Sequence, residues 1–151
     1  MRTLQEAFDQ SVRGIISQGG PSVDPTKSGG YCLLRGPNNH KCAIGWLIPD
    51  DKYDKDLESM SPAGIVKELG EFPVEEPEPE DLNRRMGSFY SQLQKAHDNS
   101  ACTYTENPGE RIVFNDSRTF FHRFRTYLHQ LALRYKLNED VLKEIPIGSR
   151  P

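Results

Sequence analysis

Three constellations in this chain combine residue types that could do chemistry. In a segment with helical spacing, Arg118, His122, Arg125 and His129 recur at i, i+4, i+7 and i+11, which puts them on one stripe. From Ser117 to Lys136 there are five Lys or Arg residues and no acid. Guanidinium forks bind phosphate bidentately and aromatic faces stack on a base. A cationic stripe bordered by Phe120 and Tyr127 therefore suits an anionic ligand with a planar ring. Arg35 and Trp46 would join the site if their segment packs beside this helix. The plainer reading is a solvated amphipathic helix, or a stripe that pairs with the acidic 71–81 segment or with a second subunit.

The second constellation is Cys32, His40 and Cys42, with His97 or Cys102 to complete four ligands. Zinc favours such thiolate and imidazole sets in tetrahedral geometry, although this spacing is not one of the usual knuckles. The third is a nucleophile, Cys42, with His97 as base and Asp98 or Asp50 orienting it. Cysteine attacks as a thiolate, so a neighbouring imidazole must lower its pKa. Both constellations have a structural alternative: small buried core thiols, and a histidine packed at a helix end. Asp50, Asp51, Asp54 and Asp56 lack the layout of a calcium loop, and a helical turn starting after Pro49 explains the first two. There is no phosphate-cradling Gly-rich loop, no Gly-x-Ser-x-Gly and no His-Glu-x-x-His, so no cofactor is expected.

These residues need elements to hold them. Two apolar runs, Tyr31 to Leu34 and Cys42 to Leu47, flank Gly36-Pro37-Asn38-Asn39 and predict a central β-hairpin. Thr3 and Glu6 form a capping box for a first helix carrying Leu4, Phe8, Val12 and Ile15/Ile16, ended by Gly19-Gly20. Ser61-Pro62 opens a short helix with Ile65, Val66 and Leu69, closed by Gly70. From Glu71 to Asp81 six acids and three prolines occur without a basic residue, which reads as an exposed connection. A second long helix is expected from about Glu80 to Asp98, with Gly87 as its weak point. Arg111 to Phe114 would be a short strand added to the hairpin sheet. The third long helix, capped by Asp116 or Ser117, has Phe121, Phe124, Leu128, Leu131 and Tyr135 as its core stripe. Asn138 then caps a short helix with Val141, Leu142 and Ile145. The sum is an α+β fold: three long helices plus short ones around a small antiparallel sheet built on a central hairpin.

At 151 residues the chain fits one domain, 1–151, with the acidic Pro-rich connection at 71–81 exposed. A net charge of −3 argues against a general nucleic-acid binder but leaves room for a local cationic pocket. No long apolar run and no basic-then-apolar leader is present, so no membrane association is expected. An odd number of cysteines, three, points to the reducing cytoplasm, with free thiols or a metal site rather than disulfides.

Lys41-Cys42-Ala43-Ile44-Gly45, then Leu47-Ile48-Pro49-Asp50, Tyr53 and Glu58, preceded by Cys32 and Arg35 and followed by Leu93, Gln94, His97 and Asp98, resembles a family of small, uncharacterised phage and prophage proteins. The resemblance covers roughly residues 1 to 100. It implies a phage setting, in the cytoplasm of an infected bacterial host, and little about chemistry. Together with the basic stripe it leads to one expectation: a non-catalytic counter-defence protein that captures a nucleotide-type signal or blocks a host defence protein. A small cysteine-dependent hydrolase or transferase using Cys42, His97 and Asp98 is the alternative. Long amphipathic helices leave a homodimer open.

Overall fold

Thr3 starts the first helix by the predicted device. Its hydroxyl accepts from the Glu6 N–H at 3.1 Å while the Glu6 carboxylate accepts from the Thr3 N–H at 3.0 Å. This helix, α1 (Leu4–Gln18), ends at Gly19 in the left-handed region, φ +83°. The structure, a computed structural model, describes residues 2–24, 31–73, 87–104, 106–107, 111–113 and 116–146. Four α-helices lie among these residues: α1, α2 (Pro62–Leu69), α3 (Phe89–Ala101) and α4 (Ser117–Tyr135). Ser61 caps α2 through the Gly64 N–H, and Gly70 closes it at φ +70°.

The expected α+β arrangement around a central sheet is not what the chain adopts; the protein is mostly helical. Its extended pairings are two separate short ladders. In the first, β1 (Val23–Asp24) pairs antiparallel with β2 (Tyr31–Cys32). In the second, β3 (Cys102–Tyr104) pairs with β4 (Arg111–Val113). The Arg111 segment is thus extended, but its partner is the residue run straight after α3 rather than the hairpin. The chain does reverse at 36–40, where the Gly36 N–H donates to the His40 carbonyl at 2.8 Å. Beyond the reversal the second apolar run leaves the strand path and forms a 3-10 turn, Gly45–Leu47.

Two features explain the failed hairpin. Ala43, Ile44, Leu47 and Ile48 are all buried, so no face of this run alternates towards water as a half-buried strand would require. After one cross-pairing, Cys42 N–H to Leu33 O at 3.2 Å, the carbonyls on either side are taken by one side chain. The Arg35 guanidinium donates to Leu34 O at 3.1 Å, Gly45 O at 2.8 Å and Ile48 O at 2.9 Å. Gly45 permits this fold-back, since a Cβ there would lie 2.4 Å from the Leu34 carbonyl oxygen.

The second long helix begins later than the apolar spacing suggests. Gly87 has φ +83°, and Ser88 caps α3 by accepting from the Ser91 N–H. Residues 80–86 of the expected helix, most of the acidic connection (74–81) and Phe114 lie outside the described residues. In α4, Asp116 is the cap, and Phe121, Phe124, Leu128 and Leu131 are buried as expected while Tyr135 is half-buried. Phe120, expected beside the cationic stripe, is fully buried, stacked on Phe124 with ring centroids 5.1 Å apart. Burial of one such ring stabilises by about 1.5–3 kcal/mol. An N-cap contributes about 1 kcal/mol. The rings of Phe89, Phe120, Phe121 and Phe124 therefore decide how α3 lies on α4, the most extensive helix pairing in the structure.

The C-terminal turn closes the fold onto its beginning. Asn138 accepts from the Asp140 N–H and starts a 3-10 turn, Asp140–Glu144, that buries Val141 and Leu142. Gln5 of α1 donates to the Asn138 carbonyl at 3.0 Å and accepts from its N–H at 2.7 Å. Arg13 pairs with Glu144 at 3.2 Å.

Candidate functional site

The α3 helix carries Gln94, His97 and Asp98 on the side that faces the 31–45 segment, and the fold gathers them there with Cys32 and Ile44. His97 is fully buried, its ring set edge-on against Phe120. The Ser22 N–H donates to His97 Nε2 at 3.0 Å, which leaves the ring proton on Nδ1, donated to Asp98 Oδ1 at 2.9 Å. Asp98 also accepts from Gln94 Nε2 at 2.7 Å and lies beside the Cys32 thiol. Cys32, His97 and Asp98 bring one ligand-type atom each within 4.8 Å of one another.

This cluster is not arranged as a nucleophile with its base. A catalytic thiol needs an imidazole free to take its proton; here the Ser22 N–H and the Asp98 carboxylate hold both ring nitrogens of His97. Burial and the negative Asp98 push the Cys32 thiol far up, away from thiolate. Burial pushes Cys42 up to about 12. Both nitrogens of His97 are already engaged, one by a backbone donor and one by a carboxylate. A metal on Nδ1 would move the proton to Nε2, against the Ser22 N–H, so the ring does not suit a ligand role either. His40, the other proposed ligand, turns its Nδ1 to the Pro21 carbonyl at 3.1 Å and is absent from the cluster.

A cleft of about 130 Å³ opens over Cys32, Cys42 and Asp98, walled by Leu57, Met60 and Ile65. Its polar rim is spent on partners within the protein. Glu58 accepts from the Leu34 N–H at 2.9 Å, the Arg35 N–H at 3.2 Å and the Tyr53 hydroxyl at 2.7 Å. Gln94 accepts from the Ile44 N–H at 3.0 Å. Arg35 adds Asp50 at 3.2 Å and lies over the Tyr53 ring. Asp50, held between Arg35 and Lys41, has its carboxyl below the usual range, the Lys41 contact being the larger cause. Trp46 packs on Gly14 of α1, with Lys41 over its ring and its indole N–H donated to Gln18. Arg35 and Trp46 therefore belong to this internal network, and neither lines the α4 stripe.

The stripe itself is different. His122, Arg125 and His129 line one concavity of about 570 Å³ between α4 and the 140–144 turn. Thr126, Leu142 and Lys143 complete its walls, and Glu139 is the one acid there. Glu139 contacts His129, and Lys143 pairs with Asp140 at 3.3 Å. The side chains of His122 and Arg125 have no ion pair among the described residues. Arg118 lies on the same helical face but is not part of the lining. Among the described residues no Phe, Tyr or Trp borders the concavity: Phe120 is in the core and Tyr127 faces the other flank of α4.

Lys143 and Glu139 were not among the site residues expected from sequence. They arrive from a separate element, and no periodicity ties them to α4; the Asn138 cap was the only hint that this turn folds back. Glu58 and Gln94 were visible as pattern residues, but each also accepts from backbone amides, which leave no trace in side-chain type. Among the described residues no helix is long and apolar enough to cross a membrane. Comparison with protein-family models, with curated proteins and with solved structures gave no match.

Proposed function

We propose that the protein is a non-catalytic binding protein that captures a small phosphate-bearing anion against α4. The observation that carries this reading is the convergence of His122, Arg125, His129 and Lys143 on one concavity with a single acid. Guanidinium and imidazole donors on a rigid helix are suited to phosphate oxygens, and a binding protein needs no further machinery. The state of the thiols supports the same reading, since burial holds Cys42 protonated at neutral pH. Counter-defence in the bacterial cytoplasm, with a nucleotide-type immune signal as the captured anion, is the setting we propose on the strength of the resemblance to phage and prophage proteins.

The test is native mass spectrometry of the protein purified gently from signal-producing bacteria, followed by calorimetry with the ligand found. A co-purified phosphate ester whose affinity falls at least tenfold in Arg125→Ala supports the reading. An empty protein that pulls down one host polypeptide, with no affinity for phosphate esters, overturns it in favour of a blocking role.

A further inference from the structure

The opposite flank of α4 holds a second recess, independent of the first. One turn and the next of α3 contribute Lys95, Ala96 and Asn99; the facing stretch of α4 contributes Tyr127, Gln130 and Arg134. The recess measures about 260 Å³. Seven residues separate Tyr127 from Arg134, so the slot runs for about 10 Å along the helix. Its floor is apolar, since Ala96 and Leu131 are almost wholly buried there.

The chemistry of its walls is selective. There is no acid among the lining residues, while Lys95 and Arg134 supply two cations. Arg134 is held in place by a hydrogen bond to the Gln92 side-chain oxygen, and Gln92 in turn donates to the Tyr135 hydroxyl at 2.9 Å and the Gly87 carbonyl at 3.0 Å. The guanidinium is thus preorganised by a neutral partner that leaves its charge uncompensated. Asn99 and Gln130 present carboxamides, which offer a donor and an acceptor side by side, the pattern that pairs with the edge of a heterocyclic base. Tyr127 supplies a ring face of the kind on which a base stacks.

We infer that this slot between α3 and α4 binds a nucleoside monophosphate, the base against Tyr127 with its edge read by Asn99 and Gln130, and the phosphate between Lys95 and Arg134. The volume lies just below the usual range of ligand pockets, which favours one nucleotide over a dinucleotide. The site shares no residue with the concavity that carries the proposed function, so the two stand or fall separately.

Calorimetry and ligand-observed NMR with adenosine, guanosine and uridine 5′-monophosphates, beside the corresponding nucleosides, test it. Saturable binding of at least one monophosphate is expected, weakened at least tenfold in Lys95→Ala and in Tyr127→Ala, and retained in Tyr127→Phe. The double variant His122→Ala, Arg125→Ala should bind as the wild type does. Thermal melting of each variant reports whether it is folded. Absence of binding by any of the three nucleotides at millimolar concentration overturns the proposal. So does equal affinity for nucleoside and nucleotide, or binding lost in the double variant but kept in folded Lys95→Ala.

Discussion

The centre around His97 and the outer flank of α4 both gather imidazoles and basic groups, yet they use them in opposite ways. At the centre the principal polar atoms have protein partners: both His97 nitrogens, the Glu58 carboxylate with its three donors, the Arg35 guanidinium across three carbonyls. On the flank, His122 and Arg125 carry charge or donors that the described residues leave unpaired. A saturated network holds a fold together and has nothing left to offer a ligand. An unsaturated one costs little stability and keeps its binding capacity. Residue types mark both regions as candidates; what separates them is whether their polar atoms already have partners.

The contrast can be broken by measurement, and the largest effect should be on thiol reactivity. A thiol whose pKa is raised stays protonated below that value, so its reactive thiolate grows as pH rises. With Cys42 near 12, its labelling at pH 8 should be roughly a thousandfold slower than that of an exposed thiol. It should keep accelerating up to the alkaline limit of stability. Rapid labelling at neutral pH in the folded protein would place a reactive cysteine where the structure has a buried one.

Next in size is His97→Ala. It leaves the Ser22 N–H without an acceptor and a void against Phe120, so chemical denaturation should report a loss of about 3–4 kcal/mol. Arg35→Lys should cost about 2 kcal/mol in the same assay, because an ammonium cannot span the carbonyls of Leu34, Gly45 and Ile48 together. A neutral result there would mean that the 42–48 run is held by apolar burial alone. The smallest effect belongs to the flank. His122→Ala with Arg125→Ala should change stability by less than about 0.5 kcal/mol, while any affinity for phosphate esters falls. A large loss of stability would show that these residues brace the fold.

Much of the helical framework was legible in the sequence because its signals are local. The Thr3–Glu6 box, Ser61-Pro62 with Gly70, and the Phe121–Phe124–Leu128–Leu131 stripe each specify their element within a few residues. The hairpin misled because two apolar runs around a turn look alike whether they pair with each other or are buried separately. The deciding partners were Arg35, acting across ten and thirteen residues, and the close approach at Gly45. Gly87, a weak point of a helix interior by propensity, has a positive φ that makes it a boundary. Of the site, the α4 stripe was visible through its spacing, whereas Phe120 and Tyr127 could be assigned to core and opposite flank only once α3 was in place.

The clasp between Gln5 and Asn138 joins residues 133 positions apart. During synthesis, then, α4 emerges before the turn that forms the far wall of its concavity can dock on α1. A ribosome-bound chain lacking residues 138–145 has the basic stripe but not its enclosure, with the apolar surface of Val141, Leu142 and Ile145 still missing from the interior. The concavity beside α4 is thus complete only once the Asp140–Glu144 turn has docked, which ties its far wall to the clasp on α1.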